Sequence, residues 1–308
     1  MQFWALIVDS FRESLDRKIF WVLIVISVLV AASMFCIGFA PTHVDLMFGM
    51  WEFETDMYNP ETEIGRGNIA SIAVVIADLV LGWIGLMLMI VATANFFTAF
   101  IERGAIDVVL SKPISRAKLF LGKYVASMVF VLLQATVFGV LTFLVMGIRW
   151  GTWLPKYLLI IPLLVILFSY LYCISVWAAV TTRSVIAAIF IAMGAWFMFF
   201  CVQSADDSME LWPTLREQRT LHYTVRTLRW VFPKTQDIAY LTERWTKAGS
   251  AEDLVPETAQ QDKDMMARTR TLEAKRRAVN PVHTIGTSLA FEAVIVMLAM
   301  WSFSRKDY

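Results

Sequence analysis

Two carboxylates stand alone in long apolar runs of this sequence, Asp78 within Ile69–Ile101 and Glu292 within Pro281–Ser304. Neither run contains a Lys or an Arg. If such a run crosses a bilayer, an ionised side chain at its centre costs about 2.5–3.5 kcal/mol, so each acid must face a helix bundle or a cavity. A carboxyl held there can relay protons or touch a substrate. The structural alternative is a neutral acid hydrogen-bonded to a neighbouring helix. Asp78 is followed by Gly82 at i+4 and Gly85 at i+7, small residues that let helices approach closely. Glu292 is preceded by Ser288 at i−4 and Thr284 at i−8, a polar stripe on one helix face. Both acids lie roughly 9–12 residues from the outer ends of their runs, which allows them a shared depth.

Little else in the sequence offers catalysis. There is no G-x-x-x-x-G-K-[ST] loop to cradle the phosphates of ATP, no H-E-x-x-H and no G-x-S-x-G. The three histidines, His43, His222 and His283, are isolated. His43, Met47, Met50 and Met57 gather in one stretch, and thioethers suit Cu(I). Methionine is abundant, with 16 residues, and filling apolar space accounts for it equally well. No metal-ligand set is therefore assigned. Cys36, Cys173 and Cys201 fall inside apolar runs, where they serve as small apolar residues. The expectation is a chain that is not an enzyme and carries no cofactor of its own.

The elements that must hold these residues follow from hydropathy. Of 308 residues, 58% are hydrophobic and 17% charged, with a mean hydropathy of +0.62. That excludes a disordered chain, a coiled coil or a small disulfide scaffold, and argues against a soluble enzyme. The net charge of +1 gives no sign of a nucleic-acid partner. The charges leave six gaps: Ile19–Phe39, Ile69–Ile101, Tyr124–Ile148, Tyr157–Thr182, Ser184–Ala205 and Pro281–Ser304. About 20 apolar residues cross the hydrocarbon core as a helix. A barrel would show alternation that these runs lack. The expected fold is an all-α integral membrane protein. Its six spans lie at about 19–39, 72–97, 124–148, 157–181, 184–205 and 283–303, so that 1–205 and 281–308 form the transmembrane domain. The first run is too long for a cleaved signal peptide and reads as an anchor. Thr181-Thr182-Arg183 leaves room only for a tight hairpin between the fourth and fifth spans.

Basic residues set the orientation. Eleven sit in 1–18, 102–123, the Arg183 turn and the C-terminal tail, against Arg66, Arg149 and Lys156 in the two short loops between them. The positive-inside rule then puts both termini in the cytoplasm, and the expected site is a prokaryotic plasma membrane. Residues 206–280 fall outside. They are nearly neutral and long enough to translocate regardless of charge. Pro213 opens a helix there that Pro233 stops, and Thr235–Lys247 makes a second one ended by Gly249, a small extracytoplasmic cap. Ahead of the first span, Phe3, Ile7, Phe11 and Leu15 recur at i+4 opposite Asp9, Arg12, Glu13 and Asp16. That pattern predicts an interfacial amphipathic helix, or else a cytoplasmic continuation of the first span.

The stretch between the second and third spans carries the most information. Ile106, Val109 and Leu110 recur at helical spacing, Pro113 breaks that helix, and Ser115 is placed to N-cap the next. A short exposed helix of mixed apolar and charged character suits a soluble partner. An ordinary solvated loop is the plainer alternative. Glu102, Arg103, Gly104, Ile106, Leu110, Ser111, Lys112, Pro113, Ile114, Ser115, Arg116, Leu119, Leu121, Gly122 and Lys123 together match an E-R-G…L-S-K-P-[IV]-S-R…G-K pattern. In this the chain resembles the permeases of ABC-2-type ABC transporters, whose six-span layout and basic tail it also shares. The resemblance implies a transport subunit that pairs as a dimer, a homodimer or two related permeases. Two separate ATPase subunits, carrying ATP-Mg, would sit beneath it. Glu102, Arg103, Gly104, Ile106, Leu110, Lys112, Pro113, Ser115 and Arg116 would form the ATPase-coupling element, and transport would run outward.

Two other classes account for parts of the sequence. A proton-coupled transporter or channel would use Asp78 and Glu292, with Ser288 beside the latter. Internal repeats usually accompany that class, and the surroundings of Asp78 are not repeated around Glu292. A membrane-anchored scaffold would use 206–280 to bind an envelope protein. No residue selects a substrate.

Overall fold

The computed structural model describes residues 18–101, 115–212, 219–246 and 280–305. The amphipathic helix expected before the first span thus falls, but for Lys18, outside the described residues. Among those described, six helices are long and apolar enough to cross a membrane: Lys18–Phe35, Glu63–Ile101, Arg116–Ile148, Pro155–Thr182, Val185–Met209 and Pro281–Arg305. The chain is an all-α integral membrane protein. Packing gathers the described residues into two compact units. One holds 18–92, 122–166 and 242–246, the other 93–101, 115–121, 167–212, 219–241 and 280–305.

In the first unit, α1 (Lys18–Phe35) stops before its apolar run does. Ile37–Phe39 forms β1, which pairs antiparallel with β2 (His43–Leu46), and β2 pairs with β3 (Trp51–Glu54). The register explains the change of element. Ile37, Phe39, Val44, Leu46, Trp51 and Phe53 share one face, and His43, Asp45, Glu52 and Glu54 the other. The β2–β3 turn carries Met47, Phe48 and Gly49 at positive φ, of which only the glycine adopts that conformation without steric cost. The meander is fastened by two residues that follow α4 (Arg116–Ile148). Arg149 ion-pairs with Asp45 and donates from Nε to the Phe35 carbonyl at 3.3 Å. Trp150, wholly buried, donates from Nε1 to the Ile37 carbonyl at 2.9 Å and meets Phe39 edge-on at 5.1 Å. Deeper down, Gln134 of α4 donates to Ser27 Oγ of α1 at 3.1 Å, a paired polar contact between buried helix faces.

The second span is one 39-residue helix. It runs through α2 (Glu63–Ala77), a π-helical stretch (Asp78–Gly85) and α3 (Leu86–Ile101). Thr62 caps it by accepting from the Gly65 N–H at 3.0 Å.

After α4, a 3₁₀ turn (Pro155–Leu159) leads to α5 (Ile160–Thr182), which belongs to the second unit from Leu167 on, and then to α6 (Val185–Leu211). Arg183 makes the bend in the left-handed region, at φ 56°, and Ser184 Oγ caps α6 by accepting from the Ala187 N–H. After α6 come α7 (Arg219–Val231) and α8 (Thr235–Thr246), with α9 (Pro281–Arg305) last. The α7–α8 bend is held on α6 by Gln203. Its amide donates to the Pro233 carbonyl at 3.0 Å and accepts from the Gln236 N–H at 2.7 Å. Arg229 of α7 faces Asp206 and Asp207 at the end of α6 and Asp237 on α8.

Candidate functional site

The residues flanking 102–114 form the first candidate site. Glu102, Arg103, Gly104, Ile106, Leu110, Lys112 and Pro113 lie outside the described residues, whereas Ser115 and Arg116 are placed. Ser115 Oγ accepts from the Lys118 N–H at 3.4 Å, and its carbonyl accepts from the Leu119 N–H at 3.1 Å, an N-cap for α4. Arg116 Nη1 donates to the Ser304 carbonyl at 3.2 Å. That carbonyl belongs to the last turn of α9, where helix carbonyls lack intrahelical partners and the dipole favours a cation. One turn along α4, Phe120 lies 5.0 Å from Phe97 of α3 and 5.9 Å from Phe303 of α9, and Phe100 stacks on Phe303 at 6.0 Å. Both ends of 102–114 therefore leave from one aromatic cluster that includes the end of the last span.

The second candidate site is the polar stripe of α9. Ser169 Oγ of α5 donates to Glu292 Oε2 at 2.7 Å. Tyr170 and Cys173, both fully buried, follow Ser169 on α5. Ser288 donates to the Thr284 carbonyl at 2.9 Å and accepts from the Lys234 N–H at 3.1 Å. The half-buried acid thus has a neutral donor on the neighbouring helix, and a hydroxyl connects its helix to the α7–α8 bend.

A family model described as "ABC-2 family transporter protein" matches residues 4–308. The chain belongs to the ABC-2 transporter family. Comparison with curated proteins finds no match. The permease is a multi-pass membrane subunit of an ABC transporter, a transport component that is not itself catalytic, and the family pairs such chains with an ABC ATPase.

The remaining sequence candidates fall elsewhere in the permease. Asp78 opens the π-helical stretch, and a Cβ placed on Gly82 would meet Asp78 Oδ1 at 2.6 Å. The wider turn brings the carboxylate over the glycine, so the absent side chain makes room for the acid as well as for a helix. Asp78 belongs to the first unit and Glu292 to the second. His43 sits on β2 opposite Glu54, while Met47, Met50 and Met57 are exposed around the meander. The three cysteines are free.

Sequence reasoning missed Arg116 reaching Ser304, because nothing in a basic residue's own neighbourhood names a carbonyl 188 positions away. It also missed Lys234. The only available signal was a lysine placed directly after a helix-stopping proline.

Proposed function

We propose that the permease is the membrane half of an ATP-driven exporter. Two such chains pair in a prokaryotic plasma membrane with both termini cytoplasmic, and each is driven by a separate ATPase that carries ATP-Mg. The 102–123 segment is the coupling element, with Glu102, Arg103, Gly104, Ile106, Leu110, Lys112, Pro113, Ser115 and Arg116 at the contact. The carrying observation is the mounting of that segment: Phe97, Phe100, Phe120 and Phe303 cluster at its two ends, and Arg116 is bonded to the end of α9. A closing ATPase pair would press on a segment whose ends are tied to three spans. Homodimer pairing and outward direction are taken from the family resemblance.

The test is affinity purification in mild detergent with mass spectrometry of what accompanies the permease. A stoichiometric soluble subunit bearing a P-loop is expected. Replacing 102–114 with a neutral linker should remove that subunit while membrane insertion persists. Purification alone, or only with an envelope protein, would overturn the reading.

A further inference from the structure

We propose that Lys234, His283 and Thr287, together with the open helix surface at Gly286, form a binding site for an anionic phosphate group at the end of α9 away from Arg305. Lys234 is only 7% exposed, yet among the described residues its ammonium hydrogen-bonds neutral groups alone, Thr287 Oγ1 at 3.0 Å and His283 Nδ1 at 3.4 Å. An ammonium has three donors, so one N–H is left for a ligand. The nearby aspartates, Asp206, Asp207 and Asp237, ion-pair with Arg229, and Asp237 acts on Lys234 as well. The lysine backbone is pinned on both sides, by Ser288 at its own N–H and by Gln203 at the Pro233 carbonyl. Its side chain is therefore aimed rather than free to wander.

The lysine also sets the histidine. A donor at Nδ1 requires the lone pair there, which puts the proton of the neutral imidazole on Nε2. His283 is exposed, so its ring is accessible to a ligand. On the same helix lies a bare patch. Gly286 is one helical turn beyond His283 and beside Thr287, and a Cβ built on it would meet nothing within 4 Å. The first turn of α9 adds the positive end of a helix dipole. Burial draws the Lys234 amine below the ordinary lysine range, with Asp237 opposing that shift and Arg229 adding to it, and a bound anion would relieve the burial cost. Val282 next door is among the most exposed apolar residues, so the patch adjoins apolar surface suited to a lipid chain. A lipid headgroup and free phosphate share the chemistry that this site reads.

The test uses the full-length permease with whatever ATPase accompanies it. In nanodiscs containing phosphatidylglycerol, native mass spectrometry counts retained anionic lipid. In phosphatidylcholine nanodiscs, inorganic phosphate is titrated by calorimetry. Lys234→Met should cut retention at least tenfold. Gly286→Leu should do the same while leaving every charge and the thermal midpoint in place, which separates blockage from misfolding. Loss confined to phosphatidylglycerol assigns a lipid headgroup, and loss confined to inorganic phosphate assigns a free anion. Both outcomes support the site. Wild-type permease that binds neither probe, or variants that bind both as the wild type does, would overturn it. None of these readouts depends on ATP or on transport direction.

Discussion

Arg229→Met tests whether the α7–α8 hairpin is fastened to the end of α6 by charge. The guanidinium serves three carboxylates, Asp206, Asp207 and Asp237, and Tyr240 donates to Asp207 at 3.1 Å from the same side. The arginine side chain is 18% exposed and Asp237 5%. Removing one partner of a buried pair costs about 3–5 kcal/mol, while exposed pairs contribute about 0–1 kcal/mol. This cluster lies between those limits and closer to the buried one, so Arg229→Met should cost about 2–4 kcal/mol at neutral pH. Part of that cost is repulsion among three carboxylates left without their cation. Arg229→Lys should recover only part of the loss, because a single ammonium cannot present a fork to several carboxylates. The assay is thermal unfolding of the full-length permease in detergent at neutral pH, beside labelling of a cysteine introduced at Gln236 to report undocking. An unchanged midpoint, or full recovery in Arg229→Lys, would refute the argument.

Trp150→Phe should lower stability by about 1–3 kcal/mol, because it removes the donor to the Ile37 carbonyl and leaves that carbonyl short of a partner, as unfolding in denaturant would show. Glu292→Gln should preserve stability, since an amide oxygen still accepts from Ser169, whereas Glu292→Leu should leave that hydroxyl unpaired and lower the thermal midpoint. If Glu292→Gln abolishes transport with folding intact, the acid carries protons instead of only holding helices. Lys234, drawn below the ordinary lysine range by burial, binds fewer protons folded than unfolded in the interval between its two values. Its contribution to stability must therefore rise with pH across that interval, and the midpoint of the wild type relative to Lys234→Met should improve from neutral to alkaline pH.

The membrane-spanning architecture was legible in the sequence because a span is a local property. A helix in hydrocarbon satisfies its own backbone, so a long run without charges is sufficient to announce it. Six such runs are present, and six helices of that kind are found among the described residues. The E-R-G…S-K-P pattern at 102–123 was equally local, and the family match over residues 4–308 agrees with it. What stayed hidden depends on partners far away in the chain. Ile37–Phe39 reads as the tail of a span, yet becomes a strand because Val44 and Leu46 offer it an apolar face and Trp150 takes the Ile37 carbonyl. Asp78 reads as a residue four before a glycine in an α-helix, yet the π-helical turn changes what that spacing means. Lys234 carries no signal in its own neighbourhood of the contacts it makes with Ser288, Thr287 and His283. Hydropathy decides which segments enter the bilayer. Which polar atoms meet depends on how the helices pack, and in a medium without water each buried polar group must find its partner there.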